Sequence, residues 1–199
     1  MNEGMLLIIS GPSGSGKGTV AKRLTPEKGF ALSISMTTRE PRGIECHGVD
    51  YIFCTENEFM QVRDEDGFLE HATFSGHFYG TPISYVQRMI DEGKTVVLEI
   101  EVEGALQVRA KYPNCTLIFL MPPNIKELER RLIERGREGI EEIERRLRRA
   151  REEIALIPKY DYLVINDDVE QAVAEINLIV DAEHLRVEHG GRKVEEFYK

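Results

Sequence analysis

Nine residues near the start of the chain, Gly11 to Thr19, have the composition of a loop that binds phosphate groups. Glycines let the backbone wrap tightly enough to point successive N–H groups at phosphate oxygens, and a helix that begins there adds its dipole. Lys17 supplies a positive charge for the terminal phosphates of a nucleoside triphosphate. The predicted nucleotide-binding residues are Gly11, Pro12, Ser13, Gly14, Ser15, Gly16, Lys17, Gly18 and Thr19.

The alternative interpretation of this segment is a glycine-rich turn without a ligand. An apolar strand precedes it, a helix-forming stretch follows it, and the lysine has the usual spacing, so phosphate binding is favoured. The motif departs from its usual form at Gly18, where a Ser or Thr normally offers a hydroxyl to Mg²⁺. We therefore expect the metal to be held mostly by phosphates and water, and we do not assign Thr19 as a direct ligand.

Two arginines, Arg39 and Arg42, follow a predicted core strand, and Pro41 stiffens the link between them. Guanidinium groups bind phosphate oxygens in a bidentate manner, so such a pair can hold a monophosphate beside a phosphoryl donor. The alternative is a solvated loop with incidental charge. The position of the pair after the second strand of a P-loop fold favours phosphate binding.

The segment from Phe68 to Thr81 predicts a β-hairpin with the two-residue turn Ser75-Gly76. The predicted register pairs Phe74 with His77, Ala72 with Tyr79 and Glu70 with Thr81. It places Glu70, Tyr79 and Thr81 on one face of the ribbon. A carboxylate beside a hydroxyl complements the Watson–Crick edge of guanine, which offers two donors next to an acceptor. Adenine would leave the carboxylate against an acceptor, and such mismatches discriminate strongly. An ordinary hairpin with one polar face is the alternative.

Five short apolar runs alternate with helix-period segments and predict an α/β fold with a parallel sheet buried on both faces. They are Met5–Ile9, Ala31–Ser35, Val96–Ile100, Thr116–Met121 and Tyr162–Ile165. Asn124 and Glu127 have the spacing of a capping box that opens a helix. Residues 36–95 interrupt the alternation with strand and turn signals of their own, so we interpret them as an inserted substrate-binding subdomain.

Composition excludes several classes of protein. The 199 residues carry a net charge of −9, which argues against nucleic-acid binding through a basic surface. No apolar run approaches the roughly 20 residues of a membrane span, and the first residues lack a signal-peptide pattern, so we expect a cytosolic protein. The cysteines Cys46, Cys54 and Cys115 fit neither a metal pair nor a disulfide framework.

Nine arginines lie between positions 130 and 151, interleaved with glutamates. A solvated helix face with ion pairs between residues three and four apart explains most of them. Two or three are expected to do more, by folding over a bound triphosphate and excluding water.

Seven segments, in this order and at these spacings, resemble the guanylate kinase family. They are GPSGSGKGT (11–19), SMTTREPR (35–42), DY (50–51), FLEHATFSGHFYGT (68–81), LEIEVEGA (98–105), RLIERGR (131–137) and VINDD (164–168). The resemblance covers nearly the whole chain. It implies a P-loop three-layer fold with a five-stranded parallel core sheet, formed by residues 1–35 and 96–199. It also implies a mixed α/β GMP-binding insert, 36–95, and a helical lid at about 130–151.

The resemblance also implies roles for individual residues, with ATP and Mg²⁺ as the phosphoryl donor. Ser35, Arg39, Arg42, Tyr51 and Tyr79 are implied to hold the GMP phosphate, and Glu70, Thr81 and Glu101 to contact guanine. Glu99 is implied to hold Mg²⁺ through water, and the division of roles between Glu99 and Glu101 stays open. Asn166 is implied to lie near adenine, or it simply forms a turn. Lys17, Arg39, Arg42, Arg135, Arg137 and Arg146 are the implied catalytic residues, and Arg131 is a weaker candidate for the same lid role.

Two rival interpretations remain at this point. One is a kinase of the same fold with AMP or a phosphorylated ribose as acceptor, and the other is a non-catalytic module that binds peptides. Both are disfavoured by the hairpin residues Glu70 and Thr81 together with the retained cations. The sequence does not predict an oligomeric state.

Overall fold

The core of the protein is a five-stranded parallel sheet in a computed structural model that describes residues 4–24, 29–134 and 140–186. The strand order is β2-β7-β1-β8-β9, and all four pairings are parallel. The strands are β1 (Met5–Ser10), β2 (Phe30–Leu32), β7 (Thr95–Glu99), β8 (Thr116–Met121) and β9 (Tyr162–Ile165). The prediction of a five-stranded parallel sheet is confirmed.

Helices cover both faces of this sheet. Leu7 and Ile9 point to one face, where they pack with α1 (Lys17–Ala21) and α7 (Val169–Glu183). Leu6 and Ile8 point to the other, where α3 (Ile83–Asp91) and α4 (Val102–Lys111) lie. Burial on both faces explains why the strands are continuous apolar runs rather than alternating ones.

A second sheet lies within residues 36–82 and has the order β4-β3-β6-β5. It is mixed, because β3 pairs with β4 in parallel and with β6 antiparallel. Its core is a stack of three aromatic rings. The ring centroid of Phe59, in the helix Glu56–Asp64, lies 4.5 Å from that of Phe68 and 5.5 Å from that of Phe78. The elements are β3 (Met36–Thr37), β4 (Ile52–Phe53), α2 (Glu56–Asp64), β5 (Phe68–Phe74) and β6 (His77–Pro82).

The hairpin of β5 and β6 turns at Ser75 and Gly76, which both have positive φ, as a two-residue turn of this kind requires. The predicted pairings of Phe74 with His77 and of Ala72 with Tyr79 are present. The register then shifts between Phe68 and His71, so Glu70 and Thr81 are not regular cross-strand partners. This irregularity was not predicted.

Two other sequence predictions need correction. The second core strand ends at Leu32 rather than Ser35, because only Ser33 still donates to the sheet, at Val97 O, before the chain crosses to β3. The capping box at Asn124 is half formed. Asn124 Oδ1 accepts from the Glu127 N–H, but the Glu127 carboxylate binds Arg130 and Arg131 instead of closing the box.

The helices α5 (Ile125–Glu134) and α6 (Ile140–Ile154) form a pair beside the carboxyl end of the core sheet. They pack through Leu128 and Leu132 on one side and Leu147 and Ala150 on the other. A 3-10 helix, Ile157–Lys159, leads from α6 to β9. Within the part of the chain that the structure describes, no helix has the length and apolar character that crossing a membrane requires.

Candidate active site

The loop between β1 and α1 passes very close to its neighbours. A Cβ at Gly11 would lie 2.0 Å from Leu120 O, and one at Gly16 would lie 2.3 Å from Asn166 Nδ2. Both glycines also have positive φ, at 143° and 92°. Only glycine satisfies both conditions, so the sequence dictates the curvature of this loop.

Lys17 is the first residue of α1 and is buried. Its Nζ donates to Gly11 O at 2.6 Å and to Pro12 O at 3.3 Å, and it lies 3.6 Å from a carboxylate oxygen of Glu101. A buried ammonium requires such partners. Its position inside the loop places a single charge where phosphate oxygens would meet the backbone N–H groups.

Glu99, at the end of β7, lies against the start of α1. A Cβ built on Gly18 would be 3.1 Å from each of the Glu99 carboxylate oxygens. The carboxylate thus takes the space where the side chain of a Ser or Thr at position 18 would begin. A hard oxygen ligand here fits a hydrated Mg²⁺, which typically uses one or two carboxylates plus phosphates. Among the described residues no group of three or more His, Cys, Asp or Glu forms a protein-only metal cage.

A pocket of about 350 Å³ opens on the α7 side of the loop. Asn166 anchors its floor, with Nδ2 donating to Ser15 O at 2.8 Å, while its buried Oδ1 has no hydrogen-bond partner among the described residues. Arg131 donates to Asn166 O at 2.9 Å. The lining residues are Gly14, Gly16, Thr19, Arg131, Glu134, Asn166 and Val169. The pocket adjoins the phosphate loop, as a nucleoside site must.

A second cluster of polar residues lies on the mixed sheet and is centred on Arg39, which is only 7% exposed. Its guanidinium binds Glu45 through two bonds of 2.9 and 3.0 Å and lies 5.3 Å from the centre of the Tyr51 ring. Tyr79 contacts Tyr51 edge-on. Hydrogen bonds to Glu45 and to the Tyr79 hydroxyl both raise the pKa of Arg39. Arg42 joins through its backbone N–H, which donates to Glu45, while its side chain is exposed.

A chain of three polar side chains lies next to this cluster. The Thr81 hydroxyl donates to Glu70 Oε1 at 2.7 Å, and Ser35 Oγ lies 3.4 Å from Thr81 Oγ1. Glu70 is 9% exposed and Thr81 is fully buried. Burial raises the pKa of Glu70, although the bond from Thr81 partly offsets that effect. The side chains meet despite the register shift, so the strand irregularity does not separate them.

Known proteins resemble this chain over nearly its full length. A family model described as guanylate kinase matches residues 3–183. The chain belongs to the guanylate kinase family. Curated guanylate kinases from two strains of Streptococcus agalactiae, serotypes III and V, are each 50% identical over 187 residues, 93% of this chain and 90% of the relative. The crystal structure of guanylate kinase from Anaplasma phagocytophilum superposes with a TM-score of 0.75 at 32% identity, covering 98% of this chain and 95% of that one.

The remaining residues predicted from the resemblance lie beside the phosphate loop or outside the described part of the chain. Glu101 lies with Lys17 and, at 3.8 Å, with Arg149, rather than beside Glu70. Arg146 reaches the phosphate loop, donating to Ser13 Oγ at 2.9 Å. Arg135 and Arg137 lie outside the described residues.

Sequence reasoning missed Glu45 and gave Arg131 little weight. Glu45 carries no local signal, because an acid six residues after an arginine is common in loops. Arg131 belongs to a run of arginines whose members differ only in the direction they face. Its placement on the inner side of α5, against Asn166 O, follows from the packing of Leu128 and Leu132.

Proposed function

We propose that this chain transfers the γ-phosphoryl group of ATP to GMP, giving ADP and GDP, with dGMP as a second acceptor. The observation that carries the acceptor assignment is the buried pair of Glu70 and Thr81 on the sheet that also carries Tyr79, with Arg39 two residues after the end of β3. Membership of the guanylate kinase family supports the same reaction. A P-loop alone would leave the acceptor open.

The acceptor base is bound by side chains of the mixed sheet. An ionised Glu70 accepts from guanine N1–H and the N2 amine, a pattern that adenine cannot supply. The hydroxyl proton of Thr81 is directed at Glu70 in this structure. Ser35, which the family resemblance implies at the phosphate, lies 3.4 Å from Thr81 Oγ1 and is a second hydroxyl able to bind guanine O6. The cluster of Arg39, Tyr51 and Tyr79, with Arg42 from the rim, holds the phosphate.

The reaction forms a bond between an oxygen of the GMP phosphate and the γ-phosphorus while the bond to the bridging β–γ oxygen breaks. The attacking oxygen is already anionic at neutral pH, so no general base is required. Lys17 and the loop N–H groups offset the charge that moves to the leaving oxygen. Catalysis then consists of positioning and electrostatic stabilisation.

Glu99 is the residue that would hold a hydrated Mg²⁺, because its carboxylate lies beside Gly18 at the start of α1. When bound, the ion would neutralise charge on the β- and γ-phosphates. The pocket around Asn166 and Arg131 would take the nucleoside of ATP.

We also propose a division of labour along the chain. Residues 1–35 and 96–199 form the core that binds the donor, residues 36–95 bind the acceptor, and the region of about 130–151 is a lid. The lid arginines Arg146, Arg135 and Arg137 would exclude water and bring positive charge to the transferring phosphoryl. The cytosolic location stays a prediction.

A coupled assay of ADP formation tests the proposal. It compares GMP, dGMP, IMP, AMP and ribose bisphosphate at fixed ATP and Mg²⁺. GMP is expected to give the highest kcat/KM, dGMP measurable turnover, and AMP and ribose bisphosphate almost none. Preferred turnover of AMP would overturn the acceptor assignment, and binding of nucleotides without any turnover would favour a non-catalytic module.

A further inference from the structure

Arg39 is a buried cation whose charge is balanced by one loop residue. Both carboxylate oxygens of Glu45 bind its guanidinium, Oε2 to Nη1 at 2.9 Å and Oε1 to Nη2 at 3.0 Å. Glu40 O takes a further bond from Nη1, at 2.7 Å. A guanidinium without these partners would carry a large desolvation penalty at 7% exposure.

These bonds occupy one side of the guanidinium. Arginine has five N–H donors, and the bonds to Glu45 and Glu40 use both donors of Nη1 and one of Nη2. These bonds leave Nε–H and the second Nη2–H, which are parallel and lie on one edge. That edge has the spacing for a bidentate bond to two phosphate oxygens. The Tyr79 hydroxyl, which is itself proposed to hold the phosphate, also hydrogen-bonds the Arg39 side chain.

Glu45 also connects the two arginines. Its Oε2 accepts from the backbone N–H of Arg42 at 2.7 Å, so one carboxylate fixes the guanidinium of Arg39 and the start of the turn that carries Arg42. The Arg39 guanidinium also lies over the rings of Tyr51 and Phe53, with its central carbon 5.3 and 5.8 Å from the two ring centroids. The guanidinium is thus restrained by the carboxylate and by the two rings.

We propose that Glu45 is a positioning residue for the acceptor phosphate. It binds Nη1 and Nη2 of Arg39 so that the edge formed by Nε–H and the second Nη2–H faces the phosphate of GMP. This inference rests on the proposed function. Glu45 does not touch the substrate and does not compete with it, because the carboxylate and the phosphate use different edges of the same guanidinium. If Glu45 instead competed with the phosphate for Arg39, removing Glu45 would tighten GMP binding rather than weaken it.

The test is Glu45→Gln, which keeps the size of the side chain but removes its charge and turns an amide N–H₂ toward the Arg39 donors. Steady-state kinetics should show KM for GMP raised roughly 10-fold, the lower end of the range for residues that orient a binding group. The kcat value and KM for ATP should change by less than about 2-fold, because the donor site is untouched. Glu40→Gln is the matched control, since it removes the same charge from an exposed neighbour that contacts Arg39 through its backbone oxygen.

A second measurement separates positioning from a general structural effect. Calorimetric titration should show that Glu45→Gln weakens binding of GMP but not of guanosine, which lacks the phosphate. If Glu45→Gln does not fold, Glu45→Asp, which retains the charge at shorter reach, is measured in the same way. It should weaken GMP by a smaller factor, again with guanosine unchanged.

The outcomes are distinct. Unchanged or tighter GMP binding in a folded Glu45 variant, or equal losses for GMP and guanosine, would overturn the inference. A wild-type enzyme that turns over AMP in preference to GMP would instead overturn the proposed function, whatever the Glu45 variants do. The GMP-to-IMP ratio of kcat/KM should stay constant in Glu45→Gln, because the base is bound by Glu70.

Discussion

The proposed donor and acceptor sites hold their cations in different ways. In the phosphate loop, Lys17 is held by backbone carbonyls five and six residues away. In the mixed sheet, Arg39 is held by a carboxylate, and Thr81 donates to a carboxylate. A site built from backbone depends on local spacing and glycine. A site built from side chains depends on how the fold turns those side chains toward one another.

The largest expected effect comes from removing the cation of the proposed donor site. Lys17→Ala should lower kcat about 100- to 1000-fold, the range for losing one preorganised donor to a transition state. ATP binding should weaken much less, because backbone N–H groups still surround the phosphates. Single-turnover kinetics and nucleotide titration together measure the two effects. Near-normal turnover would contradict the assignment of the loop.

The next largest effect comes from removing the buried cation of the proposed acceptor site. Arg39→Ala should raise KM for GMP by roughly 10- to 150-fold, from the loss of about 1.5–3 kcal/mol of charge-assisted bonding. KM for ATP should stay nearly constant. Arg39→Lys should not restore binding fully, since lysine lacks the planar fork that meets Glu45 and the phosphate on separate edges. Arg42→Ala serves as the comparison at an exposed position and should have a smaller effect.

The third prediction concerns Glu70. Glu70→Gln places a donor against the donors of guanine, so kcat/KM for GMP should fall roughly 10- to 150-fold, with ATP affinity unchanged. IMP lacks the N2 amine and should lose less, so the GMP-to-IMP ratio should drop. An unchanged ratio would assign the amine to another residue, with Glu101 as the first to test.

Glu70 also sets a pH dependence. Burial raises its pKa above that of an exposed glutamate, and only the ionised carboxylate accepts from guanine. As pH falls through this raised pKa, the advantage of the wild type over Glu70→Gln in kcat/KM for GMP should shrink. Comparing the two proteins across pH cancels the titration of the substrate phosphate. A ratio that stays flat to the pH of an ordinary carboxylate would contradict a raised pKa.

The smallest expected effect concerns Glu99, the residue proposed to hold Mg²⁺ in the donor site. Gly18→Ala adds a Cβ at 3.1 Å from both Glu99 oxygens, while the backbone φ at Gly18 suits any residue. Displacing the carboxylate at a cost of about 0.5–1 kcal/mol would raise the Mg²⁺ concentration for half-maximal rate roughly 2- to 5-fold. KM for GMP should not change. Titration of activity with Mg²⁺ at fixed ATP measures the shift.

The sequence predicted the sheet and the phosphate loop well because both follow from local rules. Apolar runs identify strands that are buried on two faces. The loop requires glycine at positions 11 and 16 because a Cβ there would lie 2.0 Å from Leu120 O and 2.3 Å from Asn166 Nδ2. The pairing of Glu70 with Thr81 was predicted by counting back from the hairpin turn, although the strand irregularity breaks that count.

The rest of the site lay beyond sequence reasoning for physical reasons. Glu45 reaches Arg39 only because the loop folds back on itself, and no local rule fixes that path. Glu101 lies at the N-cap of α4, and its contact with Lys17 joins two elements that are far apart in the sequence. Among the described arginines of this run, tertiary packing distinguishes Arg131 and Arg146 from Arg130 and Arg145, which bind glutamates of their own helices.

The position of β1 has a consequence for how the chain acquires its shape. β1 lies in the middle of the core sheet, yet its partners β7 and β8 begin only at Thr95 and Thr116. On the ribosome, β1 is synthesised long before either of its partner strands. By contrast, β5 and β6 are joined by a two-residue turn and can pair as soon as both have been synthesised. Since distant pairings close slowly, the hairpin should form early and the phosphate loop late. Pulse-labelling of amides during refolding should show protection in Ala72–Phe74 before protection in Leu6–Ile9.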